Sequence, residues 1–121
     1  MPETDVKTVS EVVRRAVAIA DPDGADPIAP ELLLAFEDDD RAAIGLGDSL
    51  WEELHGTVTG LDPEGTSGAA GAAAAVAYFL STQPAGGADD AATIREGVRV
   101  AYGGDTPPHV KAWLTDQGID D

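Results

Sequence analysis

Hydrophobic residues recur along most of this chain at the three- and four-residue spacing of an α-helix. The first such segment covers residues 5 to 20, within which Glu11 and Arg15 stand at the i,i+4 spacing of a helical ion pair. Its apolar positions are Val6, Val9, Val13, Ala16, Val17 and Ala20. No segment alternates apolar and polar residues as a half-buried strand would, so the pattern predicts an all-α fold.

We expect about six helices in all, and the five that follow the first are each bounded by a capping residue or by a turn containing proline or glycine. They are predicted at about 30 to 38, 48 to about 61, 66 to about 80, from Asp89 or Asp90 to the Gly103-Gly104 pair, and from Thr106-Pro107-Pro108 to Gly118.

The helix predicted at 66 to 80 is apolar on almost every face and rich in alanine, so other helices must surround it. We therefore predict a single domain, 1 to 121, in which three antiparallel helical hairpins pack around this central helix. Its apolar stretch, 69 to 80, is shorter than the roughly 20 residues that cross a bilayer, which favours a buried core helix without membrane contact.

The turns of these hairpins are regularly spaced. Asp21-Pro22, Asp62-Pro63 and the turn at Asp105 are separated by 41 and 43 residues. This period resembles HEAT-type repeats, and residues 61 to 64, followed by the alanine-rich helix, are similar to a HEAT turn. The resemblance implies stacked hairpins. The short second helix and the lack of an arginine soon after the turn instead favour a compact irregular bundle.

The chain is strongly acidic. It has 23 Asp and Glu against 7 Lys and Arg, for a formal net charge of -16, yet 43% of its residues are hydrophobic, which is too many for a disordered acidic tail. The excess of Asp over Glu and the scarcity of Lys resemble cytoplasmic proteins of salt-accumulating halophilic archaea. This resemblance implies that the protein needs salt to stay folded, because salt screens repulsion between carboxylates. The charge also disfavours nucleic acid and anionic lipid as default partners, although it argues less against nucleic acid in a cell whose proteins are all acidic.

The absence of cysteine excludes disulfides, thiolate metal sites and a cysteine nucleophile. Residues 1 to 10 are polar and lack the basic and apolar regions of a secretory signal, so we expect a cytoplasmic location.

Few residues form a pattern typical of catalysis or metal binding. The spacing of Asp21, Asp23 and Asp26 is similar to that of a calcium loop, but Leu32 occupies the position that requires a bidentate Glu, so we interpret these residues as caps and turns. Glu52 and His55 form the Glu-x-x-His pair of di-iron bundles, but the sequence has no second copy of it. We assign no catalytic residue, metal ligand or cofactor.

The scarce cations are more informative. Arg95 and Arg99 align with Tyr102 along one helical face, which we predict to contact a partner or an anion. Arg14 and Arg15 form a second pair, to which we assign no role. The alternative is that all these arginines pair with the acidic residues of the same chain.

Trp51 and Trp113 have apolar neighbours at helical spacing, so we expect both in the core. A tryptophan found exposed would become a candidate for a protein interface.

The preferred hypothesis is a non-catalytic helical interaction module that self-associates or binds another protein through an apolar helix face. The alternative is a nucleic-acid-binding regulator that presents the sixth helix with Lys111, or a dimer that places Arg95 and Arg99 together. A third hypothesis is a metal protein or enzyme that uses Glu52 and His55.

Overall fold

The computed structural model describes residues 8–24, 26–42, 46, 48–82 and 90–119. Over these residues it contains six α-helices and no strand, apart from one isolated bridge between Thr8 and Ala42. The helices are α1 (Val9–Ala20), α2 (Ala29–Ala35), α3 (Asp48–Leu61), α4 (Gly68–Thr82), α5 (Asp90–Tyr102) and α6 (Pro108–Asp116). The predicted all-α fold is confirmed, and the helices pack into one compact domain.

The start of α1 differs from the prediction. Thr8 caps the helix by accepting from the Glu11 amide at 3.2 Å, while the Glu11 carboxylate accepts from the Thr8 amide at 3.3 Å. Residues 5 to 7 of the predicted helix lie outside the described residues. The expected ion pair between Glu11 and Arg15 does not form, because the Glu11 carboxylate turns back to close this capping box.

The second helix is shorter than predicted. It ends at Ala35, and residues 36 to 38 form a turn in which the Phe36 amide donates to the Leu33 carbonyl at 3.2 Å. Phe36 is buried, as expected of an apolar position, whereas Leu34 is 61% exposed. Three consecutive leucines of a helix point in directions about 100° apart, so they cannot all face the core.

The alanine-rich helix α4 lies at the centre, as predicted. All the other helices pack against it, and its residues 72 to 77 have no exposed surface. Small residues allow this close approach. At Gly97 of α5, an added Cβ would lie only 3.1 Å from the Cα of Val76 in α4.

The first two hairpin turns share one local structure. In both, an Asp-Pro-x-Gly sequence ends on a glycine with positive φ, Gly24 at 64° and Gly65 at 67°. In both, the aspartate side chain accepts from the backbone amide five residues later, at 3.2 Å for Asp21 and 2.7 Å for Asp62. The two turns lie side by side, since Ser67 donates its hydroxyl hydrogen to the Asp26 carboxylate at 2.8 Å.

This repetition does not extend to a stacked solenoid. In stacked repeats each unit contacts only its neighbours. Here α1 contacts α5, α5 and α6 both pack mainly against α4, and α4 is enclosed on all sides. The HEAT-like spacing therefore reflects shared turn chemistry within a compact bundle. None of the helices in the described part of the chain has the length and hydrophobicity needed to span a membrane.

Candidate partner-binding surfaces

Tyr102 holds the helices together rather than facing outward. Its hydroxyl donates to the Gly71 carbonyl at 3.1 Å, and its ring meets that of Trp51 edge-on with the ring centroids 5.0 Å apart. Burial raises the pKa of the Tyr102 phenol to about 12. Because the Tyr102 hydroxyl already donates within the protein, only Arg95 and Arg99 of the predicted set remain to contact a partner or an anion.

These two arginines lie at the surface of α5. The Arg99 side chain is 59% exposed and donates to the Glu96 carboxylate at 3.3 Å, one turn back along the helix. Arg95 is half-buried and forms no ion pair with a carboxylate of the described residues. A contact role for this pair remains a prediction.

The outward surface of α5 is small and partly apolar. We call it the α5 outer face; its residues follow the i, i+4, i+7, i+8, i+11 spacing of one helical side and are Ala92, Glu96, Arg99, Val100 and Gly103. Val100 is 49% exposed, which is unusual for a large apolar side chain in this protein. This face therefore combines an uncovered apolar side chain with one acidic and one basic group.

An aromatic cluster fills the space between α3 and α5. The Trp51 ring lies 5.3 Å from His55, 5.8 Å from Tyr78 and 5.0 Å from Tyr102, measured between centroids. Tyr78 donates to Asp48 at 3.1 Å, and burial together with that carboxylate raises the pKa of the Tyr78 phenol. Trp51 is half-buried at the edge of the core, not inside it as predicted, because its ring packs among His55, Tyr78 and Tyr102, which are themselves at least partly exposed.

The Glu52 and His55 pair is not assembled into a metal centre in the described residues. Glu52 is exposed, and the His55 ring packs on Trp51. Over the described ranges, no three His, Cys, Asp or Glu side chains come together in a way that could hold a metal ion.

Arg14 and Arg15 lie beside an open concavity of about 410 Å³ at the surface of α1. Both side chains are exposed, and neither forms an ion pair with any carboxylate that the structure describes. The buried side chains of Val12 and Leu80 form its apolar floor. We call this the α1 concavity. The sequence singled out this arginine pair but not the surface, because the concavity depends on how α4 packs against α1.

Trp113 lines a second depression, of about 310 Å³, next to the first hairpin turn. It is half-buried and not in the core as predicted, because the α6 backbone lies so close to Gly68 that the indole must extend to the side. Asp21, Asp23 and Asp26 also line the depression. The Asp26 carboxylate already accepts hydrogen bonds within the protein, from the Ser67 hydroxyl and from the amides of Ile28 and Ala29 at the start of α2.

Arg41, to which the sequence assigned no role, pairs with two acidic residues of the same chain. Its guanidinium contacts Asp39 at 2.6 Å and Glu53 at 2.7 Å, and this contact lowers the pKa of both carboxyl groups. The backbone carbonyls of Arg41 and Asp39 accept from the amides of Val9 and Ser10, each at 2.9 Å. Arg41 therefore ties the segment after α2 to both α1 and α3.

No family model, curated protein or solved structure matches this chain.

Proposed function

We propose that this chain is a non-catalytic helical interaction module of a salt-adapted cell, and that it self-associates through the α5 outer face. The observation that carries the proposal is Val100, which is 49% exposed beside a pair of opposite charges, Glu96 and Arg99, on the same side of the helix. Burying an exposed valine against another copy removes apolar surface from water and favours association.

The charges on this face are self-complementary. In a two-fold symmetric interface, a contact between one residue of the first copy and another residue of the second copy occurs twice, the second time with the two copies exchanged. An antiparallel pair of α5 helices would place Arg99 of each copy opposite Glu96 of the other. Ala92 and Gly103 lie toward the two ends of the face and would let the helices approach closely.

Salt decides whether this association occurs. At the net charge of -16, two copies repel each other strongly in dilute buffer. At 1 M salt the screening length falls to about 3 Å, so that repulsion is lost while apolar burial persists. Since α5 has 13 residues and is therefore about 20 Å long, its face buries less than the roughly 800 Å² per partner of a standard interface, and we expect a weak dimer.

The test is sedimentation equilibrium in molar potassium chloride over a range of protein concentrations. We expect the wild-type chain to dimerise with increasing concentration and Val100→Glu to remain monomeric. Leu34→Glu is the matched control, because it places the same charge at an exposed apolar position on α2 and should leave the dimer intact. A wild-type chain that is monomeric throughout, or equal dimerisation of both variants, would contradict the proposal.

A further inference from the structure

We infer that the α1 concavity binds an acidic amphipathic helix of another protein, with Arg14 and Arg15 pairing to its carboxylates and the floor accepting its apolar side chains. This site lies on α1 and α4, so it is independent of the proposed contact through α5.

The first observation is that the two arginines have no acidic partner among the residues that the structure describes, although the chain has 23 acidic residues. Neither forms an ion pair with a described carboxylate, and the nearest expected partner, Glu11, is held in the capping box by Thr8. Guanidinium groups form paired hydrogen bonds with carboxylates. Two such groups side by side, both exposed, can therefore take carboxylates from outside the chain.

The second observation is the floor of the concavity. The buried side chains of Val12 and Leu80 line it together with Ala18, and Glu11 lines it as well, with its carboxylate turned back to the Thr8 amide. An apolar floor offers no hydrogen bond to a phosphate, but it can accept a leucine or a similar side chain. A ligand that satisfies both parts of the site must carry carboxylates and an apolar stripe, and an amphipathic helix presents them together.

The effect of salt on the two kinds of contact also favours a partner that carries an apolar stripe. An exposed Arg–carboxylate pair contributes little and is screened in molar salt. Apolar burial is not screened. We therefore expect the floor to supply most of the affinity in salt and the arginines to select an acidic partner.

The probe is a fluorescein-labelled synthetic helical peptide about four turns long, with leucine at every third or fourth position and glutamate elsewhere. Its binding to the full chain is followed by fluorescence anisotropy in molar potassium chloride. Two further peptides separate the contributions: one has glutamine in place of each glutamate, and the other has the same composition scrambled so that the apolar stripe is lost.

We expect the scrambled peptide to bind about tenfold more weakly than the acidic amphipathic peptide, because it loses the apolar stripe, and the glutamine peptide to bind about two- to threefold more weakly, because exposed Arg–carboxylate pairs contribute little in molar salt. The double variant Arg14→Gln with Arg15→Gln should weaken binding of the acidic amphipathic peptide by about two- to threefold. The control, Lys111→Gln, removes a positive charge from an exposed position on α6 and should leave binding unchanged. All three positions are exposed, so circular dichroism should show both variants to be as helical as the wild type.

Several results would overturn the inference. They are equal binding of the acidic and glutamine peptides, equal binding by the arginine double variant and Lys111→Gln, and displacement of the peptide by inorganic phosphate or by a short DNA duplex at lower concentration than by unlabelled peptide. The last result would assign the arginines to a phosphate ligand. A wild-type chain that fails to dimerise would leave this inference standing, because the dimer uses a different face.

Discussion

Gly68 shows at the scale of one residue how closely α6 lies on α4. A Cβ at this position would overlap the Cβ of Trp113 and lie 2.5 Å from the carbonyl oxygen of His109. We expect Gly68→Ala to lower the free energy of unfolding by about 1 to 3 kcal/mol, although alanine is the better helix former. Chemical denaturation in molar salt would measure this.

The matched substitution is Gly56→Ala in α3, where an added Cβ meets no atom within 4 Å. It should raise the free energy of unfolding by up to about 1 kcal/mol, because alanine has the higher helix propensity. Equal effects of the two substitutions would contradict the close contact between α4 and α6.

Asp62 links the stability of the second hairpin turn to pH. The residue is buried, and burial by itself raises the pKa of its carboxyl group. The hydrogen bonds from Thr66 and Ser67 together lower that pKa by more than burial raises it, so the pKa of Asp62 lies below its ordinary value. A carboxyl group whose pKa is lowered by folding stabilises the fold above its unfolded pKa, which is about 3.9 for Asp. This contribution is lost as the pH falls through the lower, folded value.

We expect Asp62→Asn to lower the free energy of unfolding at neutral pH by about 1 to 3 kcal/mol, since asparagine cannot accept all these hydrogen bonds. The difference from the wild type should shrink as the pH falls below about 4. Asp23→Asn removes the same charge from an exposed position and should change little. A difference between wild type and Asp62→Asn that stays constant with pH would show that the carboxylate form is not what stabilises the turn.

At the scale of the helices, the Arg41 guanidinium links the segment after α2 to α3, while the Arg41 backbone carbonyl accepts from the amide of Val9 in α1. Both side chains of its pair with Glu53 are exposed, so the energy of that pair should be small and sensitive to salt. A double-mutant cycle with Arg41→Gln and Glu53→Gln should give a coupling of about 0.5 to 1 kcal/mol at the lowest salt at which the chain folds. The coupling should fall in molar salt; a value that does not change with salt would mean that the contact is not mainly electrostatic.

Helices could be predicted where spacing and turn chemistry agree. The bounds of α3 and the centre of α4 follow from periodicity and from the Asp62-Pro63 turn. The end of α2 could not be predicted from periodicity, because three successive leucines do not mark one side of a helix. Phe36 is buried by a turn that follows the helix, not by its position on a helical face.

The candidate surfaces were less predictable than the helices. Spacing places Arg99 and Tyr102 on one side of α5, but it does not reveal that the Tyr102 hydroxyl reaches Gly71. That contact needs a glycine on a neighbouring helix. Similarly, the Glu11 carboxylate accepts from the Thr8 amide and does not pair with Arg15. The sequence fits a capping box and an ion pair equally well.

At the scale of the whole molecule, we expect the alanine core and the acidic charge to make folding depend on salt. Alanine side chains bury little apolar area each, while the net charge of -16 opposes compaction. We expect the far-ultraviolet circular dichroism of the chain to lose helical signal on dialysis from molar potassium chloride to about 0.1 M salt, where screening extends to about 10 Å.

Sucrose provides the control for this experiment, because it strengthens apolar burial without screening charge. It should restore less helicity than potassium chloride at low ionic strength. Full helicity at about 0.1 M salt would show that the charge does not limit the stability of the fold.

The central claim is that copies of this chain meet through α5, and a distance measured between copies tests it most directly. The chain has no cysteine, so Ala91→Cys provides a single site for a nitroxide spin label at an exposed position of α5 that lies outside the α5 outer face. In molar potassium chloride, pulsed dipolar spectroscopy should give a defined distance between labels that is shorter than the roughly 35 Å width of the domain, and dilution with unlabelled protein should remove it. A defined distance well beyond that width, or no dipolar signal at concentrations where the chain sediments as a dimer, would contradict an interface built on α5.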